Sequence, residues 1–116
     1  MTGESSRDRA ETARAYYRAL DGHDYDRLAA LLAPGFVHDR PDMTLEGKDR
    51  FVQFMREERP ASDTRHAIEG LYDARDADRV VAVGRLLDAD GDVLFRFADQ
   101  FAFEGDVIGR VETFTD

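Results

Sequence analysis

The stretch that decides the fold is VLFRFADQFAF, residues 93–103. Its phenylalanines recur at every second position, the period at which side chains of a β-strand return to one face. The same period places Asp99 in the middle of this aromatic row. Asp99 is therefore either a buried acid at a functional site, or an acid that pairs with Arg85 or Arg110 or is turned outward by a bulge.

The apolar periodicity around this strand predicts an α+β domain. Up to residue 58 the period is helical, and it predicts three helices: Ser5 to Leu20, Asp24 to the Pro34-Gly35 pair, and Gly47 to Glu58. A short extended segment at 36–39 and a loop from Arg40 to Gly47 separate the last two. From Thr64 onward the period is two, which predicts strands at 64–73, 79–88, 92–104 and 107–114. We expect one domain over residues 1–116, with the helices covering one face of a curved antiparallel sheet that encloses a cavity.

The charge balance is strongly acidic, with 25 acidic and 16 basic residues and a net charge of −9. Such a surface repels phosphate backbones and anionic lipids, so neither nucleic acid nor membrane is expected as a partner. Aspartate is abundant and Lys48 is the only lysine. This composition resembles that of proteins from salt-loving organisms, and it equally fits an acidic protein from a GC-rich genome.

Cysteine is absent, so neither disulfides nor thiolate metal ligands hold the fold. The charged amino terminus lacks the apolar run of a secretion signal, and no stretch approaches the ~20 apolar residues that span a bilayer. We therefore expect a soluble, cytoplasmic protein. No metal is expected either, because His23, His38 and His66 fall on separate elements without the close spacing of a ligand pair.

Candidate reactive groups lie on three segments. Burial among phenylalanines is expected to raise the pKa of Asp99 above its usual ~3.9, so that the acid can stay neutral and donate a hydrogen bond. His38 and Asp39 end the extended segment, where Asp39 is either a general base or the cap of the Pro41 turn. Of the adjacent pair Tyr16 and Tyr17, one can face the core and the other the cavity.

Three segments carry a resemblance to a known family: Phe36-Val37-His38-Asp39, Gly47-Lys48-Asp49-Arg50-Phe51 and Ala98-Asp99-Gln100-Phe101-Ala102-Phe103. In this order, after a helix hairpin, they resemble the nuclear transport factor 2-like superfamily, in particular its SnoaL-like and ketosteroid isomerase-related members. The resemblance covers nearly the whole chain. It implies a cone-shaped curved sheet packed against three amino-terminal helices, a cystatin-like roll.

The resemblance also implies roles for three residues. Ketosteroid isomerase uses an aspartate base, with a tyrosine and a protonated aspartate as the oxyanion hole. On that pattern Asp39 corresponds to the base, Tyr16 to the oxyanion tyrosine and Asp99 to the protonated aspartate. We expect no cofactor, and an activity of the isomerase, cyclase or dehydratase kind. The alternative is a non-catalytic module for small-ligand binding or dimerisation.

The expected pocket takes a small apolar ligand that the sequence does not identify. Besides the three catalytic candidates, we expect it to be lined by His38, Phe54, His66, Phe97 and Phe101. His66 shares a face of its strand with Tyr72, and it is either a pocket residue or a histidine satisfied within the sheet. The resemblance further implies a homodimer through the outer face of the sheet, where apolar contacts are expected from Val81, Val83, Leu87, Leu94 and Ala98.

Overall fold

A computed structural model describes residues 5–59, 63–74 and 79–116, with side chains from residue 9 onward. Three α-helices lie within these residues: α1 Ser5–Asp21, α2 Tyr25–Ala30 and α3 Lys48–Gln53, the last continuing as a π-helical segment, Phe54–Glu58. The strands are β1 Leu32–Arg40, β2 Met43–Glu46, β3 Arg65–Ala74, β4 Arg79–Leu87, β5 Val93–Glu104 and β6 Val107–Thr115. No helix of the described ranges is long and apolar enough to cross a membrane.

The described strands form one curved sheet in the order β2-β1-β6-β5-β4-β3. Neighbouring strands are antiparallel except β1 and β6, which run parallel. The helices cover one face, which we call the inner face. This confirms the predicted α+β class, with helices in the amino-terminal half and a sheet that curves around them.

The second helix and the first strand differ from the prediction. Asp24 caps α2 as expected, accepting a hydrogen bond from the backbone N–H of Arg27 at 3.1 Å, but α2 ends at Ala30. The Pro34-Gly35 pair lies inside β1, at the point where the register of β1 against β6 shifts between Leu32 and Val37. Such an irregularity accommodates a proline, which has no N–H to donate to a ladder. The prediction that this pair ends a helix was wrong.

The loop predicted from Arg40 to Gly47 is mostly a strand. Only Pro41 and Asp42 turn the chain, and β2 then pairs with β1 as an antiparallel hairpin. Four residues with a single buried side chain, Leu45, give too weak an alternation to be read as a strand. This hairpin holds β1 at the edge of the cavity described below.

A bulge in β3 changes which side chains share a face. The register against β4 shifts between Ile68 and Gly70, so that Ile68 and Leu71 both pack against the core. Tyr72 consequently lies on the outer face with 62% of its surface exposed, and the prediction that it shares a face with His66 was wrong. A bulge inserts one residue, which inverts the two-residue period beyond it.

The aromatic row of β5 lies on the inner face as predicted. Phe97, Asp99, Phe101 and Phe103 are all at most 8% exposed, and Phe101 is fully buried. Across β4 and β6, Asp99 pairs with Ala82 and Thr113. The largest fully buried side chains are Phe36, Phe51, Phe101, Leu28, Leu32, Ile108, Val80 and Val111.

Candidate active site

A cavity of about 490 Å³ opens between the helices and the inner face of the sheet, and its walls are mostly apolar. This volume is typical of a pocket for a small molecule. Its polar side chains come from α1, the β1–β2 hairpin, strands β3, β5 and β6, and residues that directly flank the π-helical segment, β3 and β6. They are Tyr16, His38, Arg40, Asp42, Arg59, Thr64, His66, Asp99, Thr113, Thr115 and Asp116.

Asp99 lies in the wall of this cavity and accepts two short hydrogen bonds. The hydroxyl of Tyr17 donates to Oδ2 at 2.6 Å, and the hydroxyl of Thr113 donates to Oδ1 at 2.5 Å. Burial raises the pKa of Asp99, while both hydrogen bonds, together with the nearby His66, act to lower it. Desolvation is the largest of these effects, so the neutral acid is favoured relative to an exposed aspartate.

The hydrogen bonding continues from Thr113 to His38. Because the hydroxyl proton of Thr113 goes to Asp99, Thr113 Oγ1 accepts from His38 Nε2 at 2.9 Å. This order places the proton of a neutral His38 on Nε2 and leaves Nδ1, which is sealed from solvent, without a partner among the described residues. Burial first, and then the charge of Arg40, lower the pKa of His38 to about 4. His38 is therefore a neutral ring near pH 7.

The adjacent tyrosines of α1 occupy different positions in the site. Tyr16, the predicted oxyanion tyrosine, lines the cavity, and its ring packs against Phe51 and Phe101. Burial and the charge of Asp99 raise the pKa of Tyr16, and Arg40 opposes them, so the phenol stays protonated between an acid and a cation. Tyr17, rather than Tyr16, makes the hydrogen bond to Asp99.

His66 is held by a carboxylate that the sequence reasoning did not select. Asp21, the last residue of α1, contacts His66 Nδ1 through Oδ1 at 2.6 Å and accepts the backbone N–H of His66 through Oδ2 at 3.0 Å. The ring lies 5.0 Å from that of Tyr17 and 5.7 Å from that of Phe97, measured between centroids. A polar residue at a helix end, next to a glycine, is the only sequence signal for Asp21.

Asp39 does not reach the cavity. It accepts hydrogen bonds from Arg110 at 2.8 Å and from Thr44 at 3.1 Å, on the outer face of the sheet. Its neighbour in the strand, His38, points inward, and consecutive residues of a strand face opposite sides. Tyr16, Asp39 and Asp99 therefore do not converge on one pocket. The two-residue period, applied to β1, would have separated His38 from Asp39.

The remaining predicted pocket residues divide between the wall and the core. His38, His66 and Phe97 line the cavity, whereas Phe54 and Phe101 are buried behind it. Arg40 connects Phe54 with the cavity wall. Its guanidinium lies 5.5 Å from the centre of the Phe54 ring and pairs with Asp42, another lining residue, at 2.8 Å. Neither Arg85 nor Arg110 pairs with Asp99, since their carboxylate partners are Glu69 and Asp39.

One close group of potential metal ligands occurs in the part of the chain that the structure describes. It consists of Asp88, Asp90 and Asp92 in the β4–β5 turn. None of the three lines the cavity, and Asp88 already accepts the backbone N–H groups of the other two at 2.9 Å.

The family model of the SnoaL-like domain matches residues 13–111, and the chain belongs to this family. The match includes every element that contributes to the cavity wall except the end of β6. The chain is thus a member of the nuclear transport factor 2-like superfamily, as the sequence predicted. No match is found among curated proteins.

Solved structures with the same fold include three with related descriptions. A proposed ketosteroid isomerase from Kribbella flavida has a TM-score of 0.80 at 22% identity, covering 97% of this chain and 80% of that one. A proposed SnoaL-like polyketide cyclase from Jannaschia has a TM-score of 0.77 at 17% identity, with coverages of 95% and 86%. A cystatin-like protein of unknown function from Methylobium petroleophilum has a TM-score of 0.82 at 16% identity, with coverages of 94% and 76%. These likenesses support the cystatin-like roll.

Proposed function

We propose that the domain binds a small, mostly apolar molecule and acts on it by cofactor-free acid–base chemistry, as an isomerase, cyclase or dehydratase. The observation that carries the proposal is that Asp99 and two oriented histidines, His38 and His66, share the wall of one apolar cavity with Tyr16. Buried titratable groups in such a pocket are enriched at catalytic sites. The fold of a ketosteroid isomerase and of a polyketide cyclase is compatible with this reaction class.

In this proposal Asp99 is an acid rather than a base. Its two oxygens already accept from Tyr17 and Thr113, and burial favours its neutral form. A neutral carboxyl group donates a hydrogen bond to an oxygen on which negative charge develops. Tyr16, whose phenol stays protonated, supplies a second donor at the same cavity.

The second candidate is a binding module without catalysis, and the position of Asp39 favours it. The base that the family resemblance implied is on the outer face, paired with Arg110. Under this alternative the cavity retains its apolar ligand, and the carboxylate of Asp99 only anchors α1 to the sheet.

We also propose a homodimer through the outer face of the sheet. Phe114 and Tyr72 are 52% and 62% exposed there, and Val81, Val83 and Ala98 lie between them in neighbouring strands. An apolar row that crosses four strands is typical of a surface covered in an assembly. Leu94, which the sequence placed on this face, borders the cavity instead.

The test uses 2-tetralone, a small apolar ketone with exchangeable protons next to its carbonyl. Binding is measured by saturation-transfer NMR, and exchange by loss of the α-proton signals in D₂O relative to a protein-free sample. We expect binding and accelerated exchange by the unmodified protein. Leu86→Trp, whose larger side chain takes up part of the cavity, is expected to weaken binding. Asp99→Asn is expected to retain binding with at least about tenfold slower exchange. Binding without exchange would select the second candidate, and absence of binding would contradict both.

A further inference from the structure

We propose that His66, oriented by Asp21, is the general base of the cavity, and that its substrate is a carbonyl compound with a removable proton on the adjacent carbon. This inference rests on the proposed acid–base function. It assigns to the Asp21–His66 pair the role that the family resemblance gave to Asp39.

The geometry fixes one tautomer of His66. Both oxygens of Asp21 contact the same residue, Oδ1 at 2.6 Å from Nδ1 and Oδ2 at 3.0 Å from the backbone nitrogen. A carboxylate only accepts, so Nδ1 carries the proton and Nε2 of the neutral ring carries the free lone pair. The side chains of the pair are 16% and 22% exposed, so solvent screens their interaction only in part.

His66 presents this lone pair where a ligand can reach it. The residue lines the cavity. Within the described ranges its Nε2 makes no hydrogen bond, and this atom is not sealed from solvent. It lies near enough to Asp99 for its charge to influence the pKa of that acid. A base and a carboxyl group whose neutral form is favoured by burial thus face one apolar space.

The other carboxylate and imidazole groups of the described cavity wall each have a hydrogen-bond or ion-pair partner. His38 donates a hydrogen bond from Nε2 to Thr113, and its Nδ1 is sealed from solvent. Asp42 is paired with Arg40, and Asp116 accepts the backbone N–H of Arg96 at 3.2 Å. Asp99 accepts two hydroxyl groups, as described above. His66 is left as the wall group with an oriented, available lone pair.

The reaction follows from this arrangement. Nε2 of His66 takes a proton from the carbon next to the carbonyl, and the electron pair of the broken C–H bond forms an enolate. Its negative charge resides on the carbonyl oxygen, where Tyr16 and neutral Asp99 donate hydrogen bonds. The imidazolium is stabilised by Asp21, and it returns its proton to a carbon of the same molecule. No oxidant, metal or second substrate is needed for the balance.

The experiment compares His66→Gln, Asp21→Asn and the control His23→Asn in the same 2-tetralone exchange assay. His23 does not line the cavity, and its positive φ of 57° is one that asparagine tolerates. We expect exchange to fall about 100-fold or more in His66→Gln, because general-base catalysis contributes about 10²–10⁴. Asp21→Asn keeps an acceptor for the backbone N–H but loses the charge, so we expect a fall of about tenfold. His23→Asn retains the original rate.

A second measurement does not depend on turnover, and its first readout needs no variant. The ¹⁵N shifts of His66 in the unmodified protein are expected to show a protonated Nδ1 and a free Nε2, and Asp21→Asn is expected to mix the two tautomers. An Nε2-protonated His66 would overturn the inference. So would full exchange by folded His66→Gln while Asp99→Asn is impaired, a result that leaves the proposed function standing. Absence of exchange by the unmodified protein would overturn both proposals.

Discussion

The hydroxyl of Tyr17 donates to Oδ2 of Asp99 across 2.6 Å, which joins helix α1 to strand β5 between residues 82 positions apart in the chain. Both side chains are buried. Burial, and next the charge of Asp99, raise the pKa of Tyr17 far above its ordinary value, so the phenol stays a donor at any physiological pH. The protonation of Asp99 and the packing of α1 on the sheet therefore depend on the same hydrogen bond.

Removing either donor is expected to raise the pKa of Asp99 further. In the unmodified protein this pKa lies above its ordinary value of 3.8, since burial outweighs the hydrogen bonds from Tyr17 and Thr113. Those bonds favour the ionised form, so Tyr17→Phe and Thr113→Val each raise the pKa when they are lost. Carbon NMR titration of the Asp99 carboxyl measures both effects. A pKa at or below 3.8 in the unmodified protein would remove the neutral acid from the site.

The sign of the linked stability follows from this shift. A folded-state pKa above the unfolded value means that the folded protein binds more protons over that interval, so Asp99 lowers stability as the pH rises through it.

His38 is expected to make the protein less stable in acid. Its folded pKa is about 4, against an ordinary 6.5, so between these values the unfolded state binds more protons. The contribution is present in full above pH 6.5 and is lost as the pH falls through 4, a change of about 3 kcal/mol. Urea unfolding at pH 7 and pH 4 measures it. His38→Gln is expected to show a loss smaller by that amount, whereas His23→Asn should match the unmodified protein.

Asp39→Asn is expected to leave the chemistry of the cavity unchanged. Asp39 and Arg110 are 34% and 46% exposed, and such a pair contributes no more than about 1 kcal/mol to the free energy of unfolding. We expect the variant to exchange 2-tetralone protons within about twofold of the original rate, with a comparably small loss in urea unfolding. A loss of exchange as large as that predicted for His66→Gln would restore Asp39 as the base.

Phe114→Glu is expected to convert a homodimer into a monomer. The substitution places a charge at the β6 end of the exposed apolar row, where a partner surface would have to desolvate it. Sedimentation velocity of the unmodified protein and the variant checks this. The matched control is Met43→Glu. Met43 is also exposed, but it lies on β2 and shares the inner face of that strand with Leu45, away from the apolar row. A monomeric unmodified protein would contradict the proposed dimer.

Much of the fold could be predicted from periodicity within single elements. The alternation of β5 identified the face that carries Phe97, Asp99 and Phe101, because the strand keeps a regular register against β4 and β6 from Phe97 to Ala102. The same reasoning failed at Tyr72 in β3, where an irregularity of register, visible only against the neighbouring strand, interrupts the period. At Pro34 the error was of another kind: the Pro34-Gly35 pair was expected to end a helix, and it lies at an irregularity of β1.

The order of the helices and of the four long strands, the aromatic face of β5 and the acid within it follow from local patterns of the sequence, since they depend on residues close together in the chain. The contacts between distant residues depend on the tertiary structure. Whether Tyr16 or Tyr17 reaches Asp99 depends on how α1 is rotated against the sheet. Whether Asp21 reaches His66 depends on where α1 ends relative to β3, 45 residues later. Such contacts depend on how whole helices and strands pack against each other, and local sequence patterns do not predict that packing.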